Sequence, residues 1–570
     1  MPYLPEDFEF TAWSDAEEYY QDLESRKITN VDRAIQWLQD WGEVREHLDC
    51  YYDDLYLRIH LDTTDEDAKK AYHTYNEDIS QKESEWNNNL CKKLLGLSFL
   101  ADIAKIPGYD IIIKSMQVAA ALFNEEALII GGEEDTEASK SSELHSSLTL
   151  RFKGKVLTLD AGMSHLDSKD RSVREEVYRK VAAARKSVQE PLNELMTSLI
   201  EKRVKIAKLC GHDDYPQYNF LDRRRLDYGR EDCYAFHAAV QKEVKPVYNK
   251  IHELKRQRLG VDTFRPWDLH CDAYGDERII PYKDIPDLYT RVYHMLREID
   301  EEAARRFVQL EANDRLDLES RPKKAPVGFQ TTSLSKKLPF IFLSCAQALE
   351  DLSSVVHEIG HALHSFKMYP LEVYNWKIPT SEVDELASTT MEMLVLDHLE
   401  TFFDGRDDAK RAAKRIKLAS LDEICRLLTW VSCIDRFQFF LYDFPDATPE
   451  DRDAKWMDIM DRYDSDVIQW GDLEWYRSLL WQRQSHIFEN PFYYIEYGIS
   501  QLGALSVWKR YKNDPEEAIA CYKKALSLGY SRSVPEIYAT AGAPFDWSPE
   551  RFRDLMQFVL DEYKETAKGL

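Results

Sequence analysis

A mainly α-helical protein follows from three features of this 570-residue sequence. Apolar residues recur at spacings of three and four along most of its length, as in Val31, Ile35, Leu38 and Trp41. Only two short stretches alternate with period two. Glycine and proline, which interrupt helices, number 20 and 21.

The elements follow in order. Helical periodicity runs from Trp13 to about Phe123. Residues 146–159 break it: Ser146 to Phe152 and Val156 to Leu159 alternate around Lys153-Gly154-Lys155, which predicts a short hairpin. Helix resumes from about Asp170 through Lys208. After Arg321 come two extended runs, Ala325 to Thr332 and Leu338 to Ser344, separated by a Ser/Lys turn. Pro339 at the start of the second predicts an edge strand, since proline donates nothing to a ladder. Everything after Ala346 is expected to be helical. Residues 516–526 look like one helix of a tetratricopeptide unit, but a single unit cannot build a solenoid. We place a helical N-terminal region at 1–190 and a second region at 191–570, with no Pro/Gly/Ser linker at the join.

Composition narrows the class of partner. Hydrophobic residues at 44% and charged residues at 31% describe a folded globular chain. A net charge of −27 argues against nucleic acid and against anionic lipid surfaces, and is expected to serve solubility. The start lacks a basic segment followed by an apolar one, and apolar runs such as Val118 to Phe123 are too short to span a bilayer. The nine cysteines are scattered without a CxxC pair, so neither a disulfide framework nor a cysteine metal site is indicated. A cytoplasmic location is the expectation.

The sharpest motif is His357-Glu358-Ile359-Gly360-His361. Residues four apart share a helix face, so His357 and His361 can offer imidazole nitrogens to one ion, most often zinc. Glu358 can reach the ion's water without being a ligand. Leu352, Val355, Val356, Ile359, Leu363 and Phe366 supply a buried stripe for that helix. Gly360 inside it costs about 1 kcal/mol relative to alanine, which points to close approach by another backbone. A hydrolytic zinc needs a third protein ligand and an open position. A second helix opens at Thr380 or Ser381 and carries Glu385 and Glu392 seven residues apart, on one face. One of these carboxylates can bind the metal while the other orients a ligand histidine.

His357 to His364, followed by Glu385-Leu386-Ala387-Ser388-Thr389-Thr390-Met391-Glu392, resembles the oligoendopeptidase F branch of the M3 peptidases, relatives of thimet oligopeptidase. The resemblance implies one zinc ion per chain on His357, His361 and Glu385, with Glu358 as general base toward a metal-activated water. Glu392 matches the second acid of that segment. Gly328-Phe329 and Pro339 to Leu343 are similar to the family's hairpin beside the site, whose edge strand is expected to pair with an extended substrate. Ser485 to Gly498 resembles the family segment that presents a histidine and tyrosines to the scissile carbonyl; by match these are His486, Tyr494 and Tyr497. Gly529 to Phe545 is similar to the family's closing loop. The implied fold is a two-lobed helical metallopeptidase with a deep central channel and a small β element beside the active site, and 191–570 is then its catalytic region. Short unstructured peptides are the implied substrates. His364 is expected to be structural, and the oligomeric state is left open. A helical zinc carboxypeptidase is the nearest alternative, and a non-catalytic peptide-binding protein on the same fold is another.

Overall fold

Helices make up 69% of the chain, as the periodicity predicts. The computed structural model describes residues 2–5, 7–275 and 277–570. Local signals set many helix starts. The Asn30 side chain accepts from Arg33 N and opens Val31–Leu61, and Asp170 accepts from Ser172 N ahead of Arg171–Lys186. Among the described residues no helix is long and apolar enough to cross a membrane.

Two small sheets interrupt the helices. The expected hairpin is present: β1 (Thr149–Phe152) pairs antiparallel with β2 (Lys155–Thr158). Its turn residues Lys153 and Gly154 both have positive φ, 47° and 78°, the geometry that lets a two-residue loop follow strand twist. The second sheet differs from expectation. It contains β3 (Leu316–Glu319), β4 (Phe329–Thr331) and β5 (Phe340–Cys345) in the order β3-β5-β4. β5 is therefore the central strand, parallel to β3 and antiparallel to β4. Pro339 precedes its first residue, so the missing N–H interrupts no ladder bond. β4 is an edge, and β3 has no clear alternation because only Leu318 of its four residues is fully buried.

The chain clusters into two compact units, each assembled from three stretches. The join expected at 190 falls in the first turn of the helix Gln189–Leu209. The first unit comprises 1–121, 279–412 and 500–545, and holds the β3-β5-β4 sheet. Its N-terminal helices bury Tyr20, Trp37, Trp41, Leu48 and Leu90 together. The same helices seat the loop between two later helices, Glu350–Met368 and Ser381–Val395. Tyr374 of that loop donates to Asp49 at 2.7 Å, Lys377 to Glu46 at 2.6 Å, and the Trp376 indole to the Gly108 carbonyl at 3.1 Å. Burial pushes the Asp49 carboxyl up to about 7. From residues 500–545 two phenols reach the helix Ser381–Val395: Tyr522 donates to the Ala387 carbonyl and Tyr538 to the Glu382 carbonyl, each at 2.7 Å.

The second unit comprises 122–278, 413–499 and 546–570, and holds the β1-β2 hairpin. Its buried Arg203 donates to the Tyr442 hydroxyl at 3.0 Å and to the Ile487 carbonyl at 3.1 Å. A buried ion pair, Arg225 with Glu496 at 2.5 Å, fixes the following segment. Together they locate the stretch from His486 to Tyr497.

Candidate metal centre

One backbone approach fixes how the two helices that carry the predicted ligands meet. A methyl group at Gly360 would stand 2.5 Å from Ser388 Cα and 2.7 Å from the Ala387 carbonyl oxygen. Only glycine lets Glu350–Met368 and Ser381–Val395 touch there, which is the close approach its place in a helix predicted. Thr380 does occupy the cap position, but its hydroxyl makes no capping bond. Val383 N and Asp384 N bond instead to the Thr380 carbonyl.

Around this crossing the predicted ligands converge. His357 and His361 turn their Nε2 atoms toward each other at 3.2 Å. Glu385 Oε2 lies 3.6 Å from His357 Nε2, and the three ligand atoms all lie within 4.8 Å of one another. A tetrahedral ion with bonds of about 2.0–2.1 Å requires its ligand atoms to be about 3.3 Å apart. The set fits one small divalent ion, and three protein ligands leave a fourth position free. Two bare Nε2 lone pairs at 3.2 Å would repel, so the pair calls for a proton or a cation between them.

Acids behind the histidines complete the electrostatics. His357 Nδ1 donates to Glu392 Oε1 at 2.7 Å, and Ser353 Oγ donates to Glu392 Oε2 at 2.6 Å. This support fixes the tautomer that leaves Nε2 for a metal. Burial opposes charge on both rings, but nearby acids outweigh it. Glu392 raises His357, while Asp384, Glu385 and Glu358 push His361 up to about 10. Burial also raises the Glu358 carboxyl, and Glu385 and Asp384 add to that against the pull of the two histidines. Glu358 and His357 border a cavity of about 430 Å³, whose other wall is Pro326, Val327 and Gly328, just before β4, with Leu343 on β5.

His364 is not among the ligands. Its ring is fully buried and its Nδ1 lies 3.0 Å from Asp384 Oδ1. Asp384 and Ser353 were not singled out from the sequence. Ser353 had one signal, its place one helical turn before His357. Asp384 had only its adjacency to Glu385.

The second unit brings His486, Tyr494 and Tyr497 together. The His486 ring centroid lies 5.1 Å from that of Tyr494 and 5.8 Å from that of Tyr497, and the Tyr497 hydroxyl is 3.5 Å from His486 Nε2. Tyr493 joins the cluster at 5.2 Å from Tyr497. Burial pushes His486 down to about 4, so the ring is neutral at neutral pH.

A helical fold with a His-His-Glu set and a buried glutamate beside it defines a metallopeptidase. The family description Peptidase family M3 matches residues 164–550, and Peptidase M3 N-terminal domain matches residues 5–123. The chain belongs to peptidase family M3. It is similar to an Oligoendopeptidase F homolog of Borreliella burgdorferi, 22% identical and covering 88% of this chain and 86% of that one. Group B oligopeptidase PepB of Streptococcus agalactiae is also 22% identical, covering 78% and 74%. The solved structure of PZ peptidase A with inhibitor 2 shares the fold at a TM-score of 0.88 and 23% identity, over 98% of this chain and 99% of that one.

Proposed function

We propose that this protein is a zinc-dependent oligoendopeptidase that hydrolyses internal bonds of short unstructured peptides, with His357, His361 and Glu385 as ligands and Glu358 as general base. The observation that carries this reading is the convergence of the three ligand atoms within 4.8 Å, with Glu358 bordering the adjoining cavity. A bound divalent ion supplies an acidified water and a Lewis acid for the carbonyl. Glu358, raised by burial, is suited to take the proton from attacking water and pass it to the leaving amine. Glu392 and Ser353 hold the His357 ring. The edge strand β4 and the segment before it are the part of the cavity wall suited to an extended peptide backbone. His486, Tyr494 and Tyr497 are proposed as the groups that bear on the reacting carbonyl. The family resemblance supports this, as does their shared cluster with a neutral imidazole and a phenol able to donate.

The test is an internally quenched peptide blocked at both ends, with metal content measured in parallel. The expected result is cleavage, abolished by chelation and restored by zinc. Cleavage only of peptides with a free C-terminus would reassign the protein as a carboxypeptidase. We further propose a cytoplasmic location, supported by nine cysteines scattered along the sequence in a pattern that offers no disulfide framework. The division into 1–190 and 191–570 is proposed as functional: every proposed ligand and catalytic group lies in the second part. A fragment spanning 191–570 is nevertheless expected to lose metal, because Tyr374 and Lys377 rest on Asp49 and Glu46.

A further inference from the structure

The two ligand histidines are supported unequally. His357 has Glu392 to itself, at 2.7 Å. His361 Nδ1 is buried and makes no hydrogen bond among the described residues, with Asp384 Oδ1 facing it at 3.4 Å. That same oxygen lies 3.0 Å from Nδ1 of His364, one turn further along the helix. A carboxylate only accepts, so His364 presents Nδ1–H to it, and a turn of the carboxylate toward His361 would meet the same group there. His364 Nε2 is buried without a partner among the described residues. A proton there would be a buried donor with no acceptor, whereas Nδ1–H is aimed at Asp384.

We infer that Asp384 is the positioning carboxylate of His361, and that His364 is the anchor that holds Asp384 in place. The Asp384 side chain is 46% exposed, so water competes for its oxygens. Left to itself, the carboxylate would rotate toward water. The His364 bond keeps Oδ1 over the helix where His361 can use it. His361 then keeps Nε2 bare for a metal, as Glu392 ensures for His357. The pattern is one carboxylate per ligand histidine, with a hydroxyl (Ser353) bracing one carboxylate and an imidazole (His364) bracing the other.

This inference rests on the metal-centre reading, and the experiment separates the two. Zinc affinity of the full-length apoprotein is measured by competition with a chromophoric chelator, and the Co²⁺-loaded visible spectrum is recorded. Glu385→Ala serves as the control. Asp384→Ala is expected to weaken zinc binding about 10- to 100-fold and to alter the Co²⁺ bands while leaving the melting temperature of the apoprotein near that of the parent. Asp384→Asn, which keeps an accepting oxygen, should fall between. His364→Gln should weaken zinc binding in the parent and add nothing in the Asp384→Ala background. If Glu385→Ala loses zinc while Asp384→Ala binds it as the parent does, the positioning role is wrong and the metal centre stands. If His364→Gln weakens binding equally in both backgrounds, the anchor role is wrong. If the parent chain itself holds no zinc, the metal-centre reading falls and this inference with it.

Discussion

The metal centre of the first unit and the aromatic cluster of the second are built in opposite ways. His357 is held by a short bond to a carboxylate, and the two helices meet at a glycine where no side chain fits. His486 takes a short bond at Nδ1 from the Gln484 amide, 2.7 Å, and sits among tyrosine rings, with the Tyr497 hydroxyl farther off, 3.5 Å from Nε2. A short charge-assisted bond and a backbone contact hold individual atoms, whereas ring packing holds planes. The first arrangement suits a group that must stay put. The second suits one that donates to charge developing during a reaction.

The largest effect expected separates chemistry from binding within the metal centre. Glu358→Gln should lower kcat by about 10²- to 10⁴-fold while elemental analysis still finds one zinc per chain. Loss of metal in that variant would show Glu358 to be a ligand and not a base. Next, Tyr497→Phe should lower kcat by about 10²-fold with little change in KM, as for the loss of one donor to an oxyanion. An unchanged kcat would reduce the tyrosine cluster to packing and remove the functional half of the contrast. Gly360→Ala forces a Cβ against Ser388 and should cost about 1–3 kcal/mol of stability, read by denaturant unfolding, with zinc lost at lower denaturant than in the parent. A neutral substitution there would mean that the helices can slide.

The smallest effect concerns pH. His486 is pushed down from its ordinary value to about 4, so the unfolded chain binds this proton more readily than the folded one. Its contribution to stability is full above about 6.5 and falls as pH drops toward about 4. His486→Gln should flatten the stability profile across that window, and an unchanged slope would place the loss on other groups.

How much of this was legible in the sequence depends on the reach of each constraint. His357, His361 and Glu358 lie within one helical turn or so, and the spacing alone places them. Gly360 even announced the second backbone, though not that Ser388 would supply it. Glu385 and Glu392 were legible as a face, but assigning Glu385 as the candidate ligand took the family pattern. Asp384 was invisible because one acid among 102 carries no pattern of its own. Pro339 misled because a proline just outside a strand and one inside it read alike. β3 was missed because four residues, half of them acidic, give too short an alternation. The seat of Tyr374 on Asp49 joins positions 325 apart, and nothing local encodes it.

The phenols of Tyr522 and Tyr538, which grip the Ser381–Val395 helix by its carbonyls, bear on how the enzyme is born. A ribosome releases both histidines and Glu385 long before it releases these tyrosines. Until Tyr522 and Tyr538 follow, Glu385 rides on a helix lacking two of its moorings, so residues 500–545 act on that carboxylate through backbone carbonyls far from either histidine in sequence.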